Sequence, residues 1–374
     1  KADRIAFDTY FVSEDTYRPE LCLIQLAIDG HAAAIDPLAI RDLSRFWDLF
    51  VNGDHETIMH AGREELRFCL AATGKCPRRI VDVQIAAGFI GLEYPAGYGT
   101  LIQKILGVQM KKSETRTDWR KRPLSAAQLD YALDDVVHLL PLRDKLFQRL
   151  GELNRVEWLS EELATWLESI RGLETRERWR NVSGGGGLRG KSLVVLRELW
   201  RWREAEAQRR NQPARRILRD DLLVELARRR VTDPDRIHSL RGMERPKFKK
   251  MIPELIQAIQ LGLDTPEEDY PRYVRRDTPP RLTMVGQFLT SALSSICREA
   301  NMAPSLAGNP SDVRELIVHQ LGNGDLGDRE PPKLSQGWRA ELVGNLLTDL
   351  LTGKVTIRIR DPQSENPLEF KPFA

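Results

Sequence analysis

The sequence predicts an α/β domain followed by all-α domains. Three observations lead there. Short apolar runs alternate with helix-period segments through the first 150 residues, strand signals stop beyond Leu150, and two loop-forming stretches punctuate the helical remainder. At 374 residues a single core would be oversized, so two or three domains are expected.

Taken in order, Arg4–Val12, Leu21–Ile28 and Ala32–Ile35 read as strands of an initial meander, and Asp42–Val51 and Glu64–Ala72 as helices. His55–His60 reads as a further strand that ends at a turn, Ala61-Gly62, where active-site groups often sit. Helical periodicity then runs through Trp158–Ile170, Leu193–Ala207, Asp220–Arg229 and Lys247–Leu261, and around Gln287–Ala300, Asp312–Leu321 and Gly337–Leu351. Ser183–Gly187 reads as a flexible joint, and Asp264–Pro280, with four prolines among many charges, as an extended linker. The expected division is 1–150, a helical connector at 151–187, a domain at 188–265, a linker at 266–281 and a last domain at 282–374.

Hydrophobic residues at 41% and charged residues at 30% describe a globular chain rather than a disordered one. No apolar run reaches the roughly 18 residues that span a bilayer, and no basic segment followed by an apolar one opens the chain, which points to the cytoplasm and away from a membrane. The chain opens at Lys1 without a methionine and runs straight into a strand, so an N-terminal piece is expected to have been lost. Cys22, Cys69, Cys76 and Cys297 are scattered in apolar stretches without a C-x-x-C pair, which suits buried free thiols. Residues 188–250 hold 19 Lys and Arg against 9 Asp and Glu, whereas the whole chain carries only +3. A basic module is therefore joined to an acidic remainder.

Carboxylates stand on three separate elements of the α/β part. Asp8 follows the apolar Ile5-Ala6-Phe7, Glu65 opens the helix after His60-Ala61-Gly62, and Asp135 lies four residues after Tyr131, on the same helical face. Such a set suits hard divalent cations, two of which, about 3.5–4 Å apart, can activate a water and stabilise a leaving oxygen. By spacing alone, any one of the 54 acids is more simply a solvated or capping group.

Phe7-Asp8-Thr9-Tyr10-Phe11-Val12 and Tyr17-Arg18-Pro19-Glu20-Leu21-Cys22-Leu23-Ile24-Gln25-Leu26 resemble the first exonuclease motif of the ribonuclease D family and its following strand. The similarity continues through His60-Ala61-Gly62-Arg63-Glu64-Glu65-Leu66, Asp82-Val83-Gln84, the run from Lys112 to Leu124, and Tyr131 with Asp135. The resemblance implies a ribonuclease H-like mixed sheet and a 3′→5′ exoribonuclease of the tyrosine DEDD class, using two Mg²⁺ or Mn²⁺ ions on RNA 3′ ends, tRNA precursors by implication. Carried over by position, Asp8 would bridge both metals, Asp135 would hold one, and Tyr131 would orient the attacking water. Tyr10 stands at the place of the family's metal-binding glutamate and Glu65 at that of an aspartate. A phenol is a poor Mg²⁺ ligand at neutral pH, so the alternative is an inactive protein that holds RNA without cutting it. Glu14, Glu64 and Asp82 are candidate substitutes for the missing oxygen.

Tyr17 and Trp119 are candidates to stack on bases, although simple packing is the favoured reading, and Arg116, Arg120 and Arg122 to touch phosphates, although exposed arginines are usually only solvated. His60 reads as structural. No Ser/His/Asp order suggests a nucleophilic hydrolase. Gly185 to Ser192 satisfies the pattern G-x-x-x-x-G-K-[ST], but the charged residues before it are not a buried strand, so a linker with a helix start is the better account and no small-molecule cofactor is expected. Leu196 to Ala207, Gln212-Pro213 and Asp220 to Leu223 resemble the HRDC domain shared by ribonuclease D and RecQ-type helicases. Its Arg215, Arg216, Lys247, Lys249 and Lys250 suit a phosphate backbone. The last domain resembles the family's second, more divergent HRDC-like bundle through Pro332-Lys333-Leu334 and Gly337 to Leu342. A monomer is expected.

Overall fold

Apolar residues at adjacent positions of Arg4–Val12 require a strand covered on both faces, and the computed structural model shows one. Ala6 and Phe7 of β1 (Arg4–Val12) point to opposite sides and are both fully buried. The structure describes residues 2–110, 117–175, 177–271, 281–322 and 330–373. Strand β2 (Glu20–Ile28) pairs antiparallel with β3 (His31–Ile35), and helix α1 (Ser44–Asn52) leads to β4 (Glu56–Met59), which runs parallel to β1 with Ala6 opposite Ile58. After α2 (Arg63–Thr73), β5 (Arg79–Asp82) pairs parallel with β4, giving a mixed sheet of order β3-β2-β1-β4-β5. The α/β reading and its meander are therefore seen directly, whereas β5, only four residues long, carries too little pattern to be read from sequence.

Helices α3 (Val83–Gly88), α4 (Tyr98–Leu106), α5 (Ala126–Val137), α6 (Leu139–Glu152) and α7 (Val156–Thr175) complete this part. On one side of β1, Phe7 packs tilted on Phe50 at 4.5 Å and edge-on to Trp47 at 6.4 Å, both from α1. Ala6 and Ile58 instead join the large core that also holds Leu139, Leu142 and Leu146 of α6.

The chain divides into two units, Lys1–Thr9 with Leu23–Gly172 and Asp277–Ala374, and Tyr10–Cys22 with Leu173–Arg276. In the second, α8 (Gly190–Arg210), α9 (Ala214–Ile217), α10 (Asp220–Arg229), α11 (Pro234–His238), α12 (Pro246–Lys249) and α13 (Ile252–Asp264) form a bundle. Helix α13 lies so close to α8 that a Cβ on Gly262 would stand 2.7 Å from the Val195 Cα. The glycine run is not a free joint. Gly185–Gly187 forms a 3₁₀ turn, Gly185 is buried against Leu196, and Trp179, Val182 and Leu188 around it belong to the bundle core. The elements directly before it are α7 and a 3₁₀ turn at Trp179–Asn181 rather than a strand, so the P-loop geometry is missing.

The final stretch carries α14 (Arg281–Glu299), α15 (Pro304–Ala307), α16 (Pro310–Leu321), α17 (Gly337–Arg339), a π turn at Ala340–Gly344 and α18 (Asn345–Leu351). It ends in an antiparallel hairpin of β6 (Val355–Ile359) and β7 (Leu368–Pro372). That hairpin corrects the expectation of an all-α remainder. Val355, Ile357 and Ile359 alternate with polar residues, a period of two that the helical signals upstream obscure. The sequence pattern sets 282–374 apart as a domain, yet Leu289, Leu293, Leu306, Leu316, Trp338 and Leu347 share one core with the α/β part. Trp338 is 1% exposed, stands 4.8 Å edge-on to Phe89, and donates its Nε1–H to Glu162 at 3.1 Å.

Trp338→Ala is expected to destabilise the first unit by about 3–5 kcal/mol. Hydrogen exchange checks it: protection should fall at Phe89 and Leu101 while Leu196 and Leu199 of the second unit keep theirs.

Candidate active site

Three elements bring carboxylates together in the first unit. Asp8 projects from β1, Glu65 sits in the first turn of α2, and Asp135 lies near the end of α5, which Ser125 and Gln128 start with a reciprocal capping box. The turn into α2 needs an unusual backbone, with Ala61 at φ 54° and a Gly62 whose Cβ would meet Met59 at 2.7 Å. Asp82 holds that turn. Its Oδ2 accepts the Gly62 N–H at 2.9 Å, while its Oδ1 accepts the N–H groups of Gln84 and Ile85 as the cap of α3.

The Thr9 hydroxyl donates to Glu65 Oε1 at 2.6 Å, with both groups buried. Burial pushes the Glu65 carboxyl up to about 7, helped by the negative charges of Asp82 and Glu64 and opposed by the Thr9 hydroxyl. Asp8 is held well above the ordinary carboxylate range by burial first and then by Glu65 and Asp135. These are acceptor-only oxygens whose charges repel one another, which is the donor set a hard divalent cation would satisfy. Among the described residues no group of three or more such side chains forms a ready-made cage. Mg²⁺ does not need one, since it binds through one or two carboxylates and keeps waters or substrate phosphate oxygens on its other positions. The residues fit the group.

Tyr131 stands four residues before Asp135 on α5, as the spacing requires, and is half-buried. Strand β1 continues through Tyr10, also half-buried. Two of the substitutes named for the missing oxygen are already engaged: Asp82 in the two caps above, and Glu64 in an ion pair with Arg67 at 2.9 Å. Glu14 is exposed. His60 is structural, as read, with Nε2 at 2.9 Å from the Ala96 carbonyl.

The stacking candidates are corrected. Trp119 is 6% exposed, so its ring packs and presents no face to a base. Tyr17 packs on the core of the second unit, donates its N–H to the Asn211 side chain and its hydroxyl to Glu204. Arg122 clasps Asp36 with two bonds of 2.6 and 2.8 Å, and Arg120 pairs with its neighbour Asp118. Both serve local structure before any phosphate. Arg116 lies outside the described residues. The four cysteines are buried thiols, none of them in a disulfide. Thr9, and Tyr98 at the start of α4, escape a reading of the sequence, because a hydroxyl's role here depends on a partner far away along the chain.

In the second unit, Arg215, Arg216, Arg219, Arg245 and Lys247 line one hollow of about 420 Å³. Arg216 pairs with Asp15 at 2.6 Å, and Lys247 lies over the Phe248 ring. Burial and the charges of Arg245, Arg210 and Arg219 press the Lys247 ammonium below its ordinary range, while Arg215 and Arg219 pair with Asp220 and Asp221. Lys249 and Lys250 are exposed.

The 3′-5′ exonuclease family matches residues 1–151, and the HRDC domain matches residues 192–259. Ribonuclease D of Zymomonas mobilis is 34% identical over 370 residues, 96% of this chain and 92% of that one. Ribonuclease D of Pseudomonas paraeruginosa is 32% identical over 348 residues, 93% of this chain and 92% of that one. The crystal structure of Escherichia coli RNase D, described as an exoribonuclease involved in structured RNA processing, matches with a TM-score of 0.82 at 27% identity, covering 94% of each chain. Fold and site thus define a hydrolytic 3′→5′ exoribonuclease. The chain belongs to the ribonuclease D family. Among the described residues, no helix is long and apolar enough to cross a membrane.

In the metal-free protein, Glu65 binds its proton more tightly folded than unfolded. Its contribution to stability is complete below about pH 4.5 and is lost as the pH rises through about 7. Glu65→Gln should remove this loss, so thermal unfolding at pH 8 without divalent ions should show the variant more stable than the parent, with no such gap at pH 4.

Proposed function

We propose that this exoribonuclease removes nucleotides from RNA 3′ ends, tRNA precursors among them, at Asp8, Glu65 and Asp135 with two Mg²⁺ or Mn²⁺ ions. The observation that carries the reading is the mutual repulsion of Asp8 with Glu65 and Asp135 at one place, from three elements. The chemistry such cations supply when bound is activation of a water and neutralisation of charge on the leaving oxygen. Asp8, Glu65 and Asp135 would hold the cations, and the Tyr131 phenol would orient the water. Thr9 keeps the Glu65 carboxylate aimed by donating to one of its oxygens. Tyr10 removes one formal charge from the set, so the site works with weakened metal affinity.

The positive hollow of Arg215, Arg216, Arg219, Arg245 and Lys247 supports a second role, in which the HRDC domain grips the RNA backbone without reading sequence. Lys249 and Lys250 extend that surface. The helices of residues 281–351 are read as a second HRDC-like bundle.

A 5′-labelled RNA with a single-stranded 3′ end should shorten one nucleotide at a time in Mg²⁺ or Mn²⁺. Asp8→Ala should slow this by on the order of 100-fold or more. Tyr10→Glu should lower the metal concentration for half-maximal rate; an unchanged midpoint would mean the site is built around the tyrosine. RNA binding with no shortening in either metal would sink the catalytic reading. Separately, Arg215→Ala with Lys247→Ala should make log affinity fall less steeply with log salt, by about one in slope for each phosphate left without its cation, equally for unrelated RNA sequences.

A further inference from the structure

Helix α5 ends at His138 (φ −92°, ψ −7°), and α6 begins at the next residue. In an unbroken helix the His138 N–H would bond the Asp134 carbonyl four residues back. Here it turns to the Val136 carbonyl instead. The space in the ladder is taken by a side chain from another element. The Tyr98 hydroxyl lies 3.4 Å from the Asp134 carbonyl oxygen, to which it donates, and within hydrogen-bonding reach of the His138 N–H, from which it accepts. Insertion of a polar group into the i→i−4 ladder is a known cause of a helix bend. The residue carried on that interrupted turn is Asp135.

Tyr98 is itself held. It opens α4 after an extended Gly97, and its ring lies tilted on the His60 ring at 5.5 Å. The Ala96 carbonyl, two residues earlier, is fixed by His60 Nε2 and by the Gln84 side chain, each at 2.9 Å. Burial, and then the neighbouring Asp135 and Asp8 charges, keep the phenol protonated well beyond neutral pH, so it acts as a neutral donor. The strand end that supplies His60 and the turn that presents Glu65 are thereby tied to the helix that presents Asp135.

We infer that Tyr98 is a positioning residue of the nuclease, its hydroxyl spliced into the backbone between α5 and α6 so that Asp135 is held at the angle the metal site needs. The inference rests on the reading of Asp135 as a metal ligand. Its physical content is specific: the hydroxyl, not the ring, carries the effect.

Tyr98→Phe keeps the ring on His60 and removes only the hydroxyl. Calorimetric titration of the full chain with Mn²⁺, without RNA, should show affinity lowered by about tenfold, the lower end of the loss seen when a group orienting a ligand is removed. In the nuclease assay the metal midpoint should rise by a similar factor, KM for RNA should stay constant, and kcat should recover as metal is raised. Mn²⁺ affinity unchanged in Tyr98→Phe overturns the inference, and so does a loss of rate that added metal does not restore. Asp135→Asn separates the two levels. If it abolishes Mn²⁺ binding while Tyr98→Phe binds normally, only the positioning role fails; if Asp135→Asn binds Mn²⁺ as well as the parent, the ligand reading fails and takes the inference with it.

Discussion

Like charge gathered in a buried place is the constraint on which the nuclease half of this protein is organised. Burial and the charges of Glu65 and Asp135 hold the Asp8 carboxyl well above its ordinary range, and packing alone would not favour such a grouping. Two of the supports around them are neutral. Thr9 gives Glu65 a neutral donor, and Asp82 commits both carboxylate oxygens to the backbone N–H groups that shape the entry to α2 and α3. Had arginines been placed there instead, the oxygens would already be paired and lost to a cation. Neutral hydrogen-bond donors fix the geometry and leave the charge available.

The HRDC domain treats charge in the opposite way. Its acids are mostly engaged in local pairs such as Arg203 with Asp220 and Arg209 with Glu206, leaving a hollow where cations crowd one another. One part of the chain thus concentrates negative charge that favours cations, and the other concentrates positive charge that favours phosphates. Both attractions weaken with salt, since exposed charges are screened within about 10 Å at 0.1 M ionic strength.

The parts of the fold and site that were legible in sequence were those governed by local pattern. A short apolar run marked β1 from Arg4 to Val12, and a four-residue spacing placed Tyr131 and Asp135 on one helical face. What escaped was set by distant partners. Tyr17 has the composition of a stacking residue but is taken up by Asn211 and Glu204, nearly two hundred residues away. Glycines 184–187 look like a joint, yet Leu196 closes over Gly185 and makes the run part of a core. Asp82 passes for a spare ligand because sequence shows a carboxylate and not which N–H groups have claimed it. The Tyr98 hydroxyl had no signal at all, since a tyrosine at a helix start carries no mark of the helix break it fills.

The buried Arg155 donates to the carbonyls of Phe89, Ala300 and Asn301, joining segments made at very different times during synthesis. Because Leu289, Leu293, Leu306, Leu316, Trp338 and Leu347 complete the core around Phe89, the nuclease half cannot close until they have been synthesised. The inserted HRDC bundle, contiguous apart from the short Tyr10–Cys22 segment, has its residues available earlier. Domains generally fold as units during translation, so vectorial synthesis supplies all the residues of the second unit before it supplies all those of the first. A copy cut short before Trp338 therefore lacks the side chain that fills the core beside Phe89.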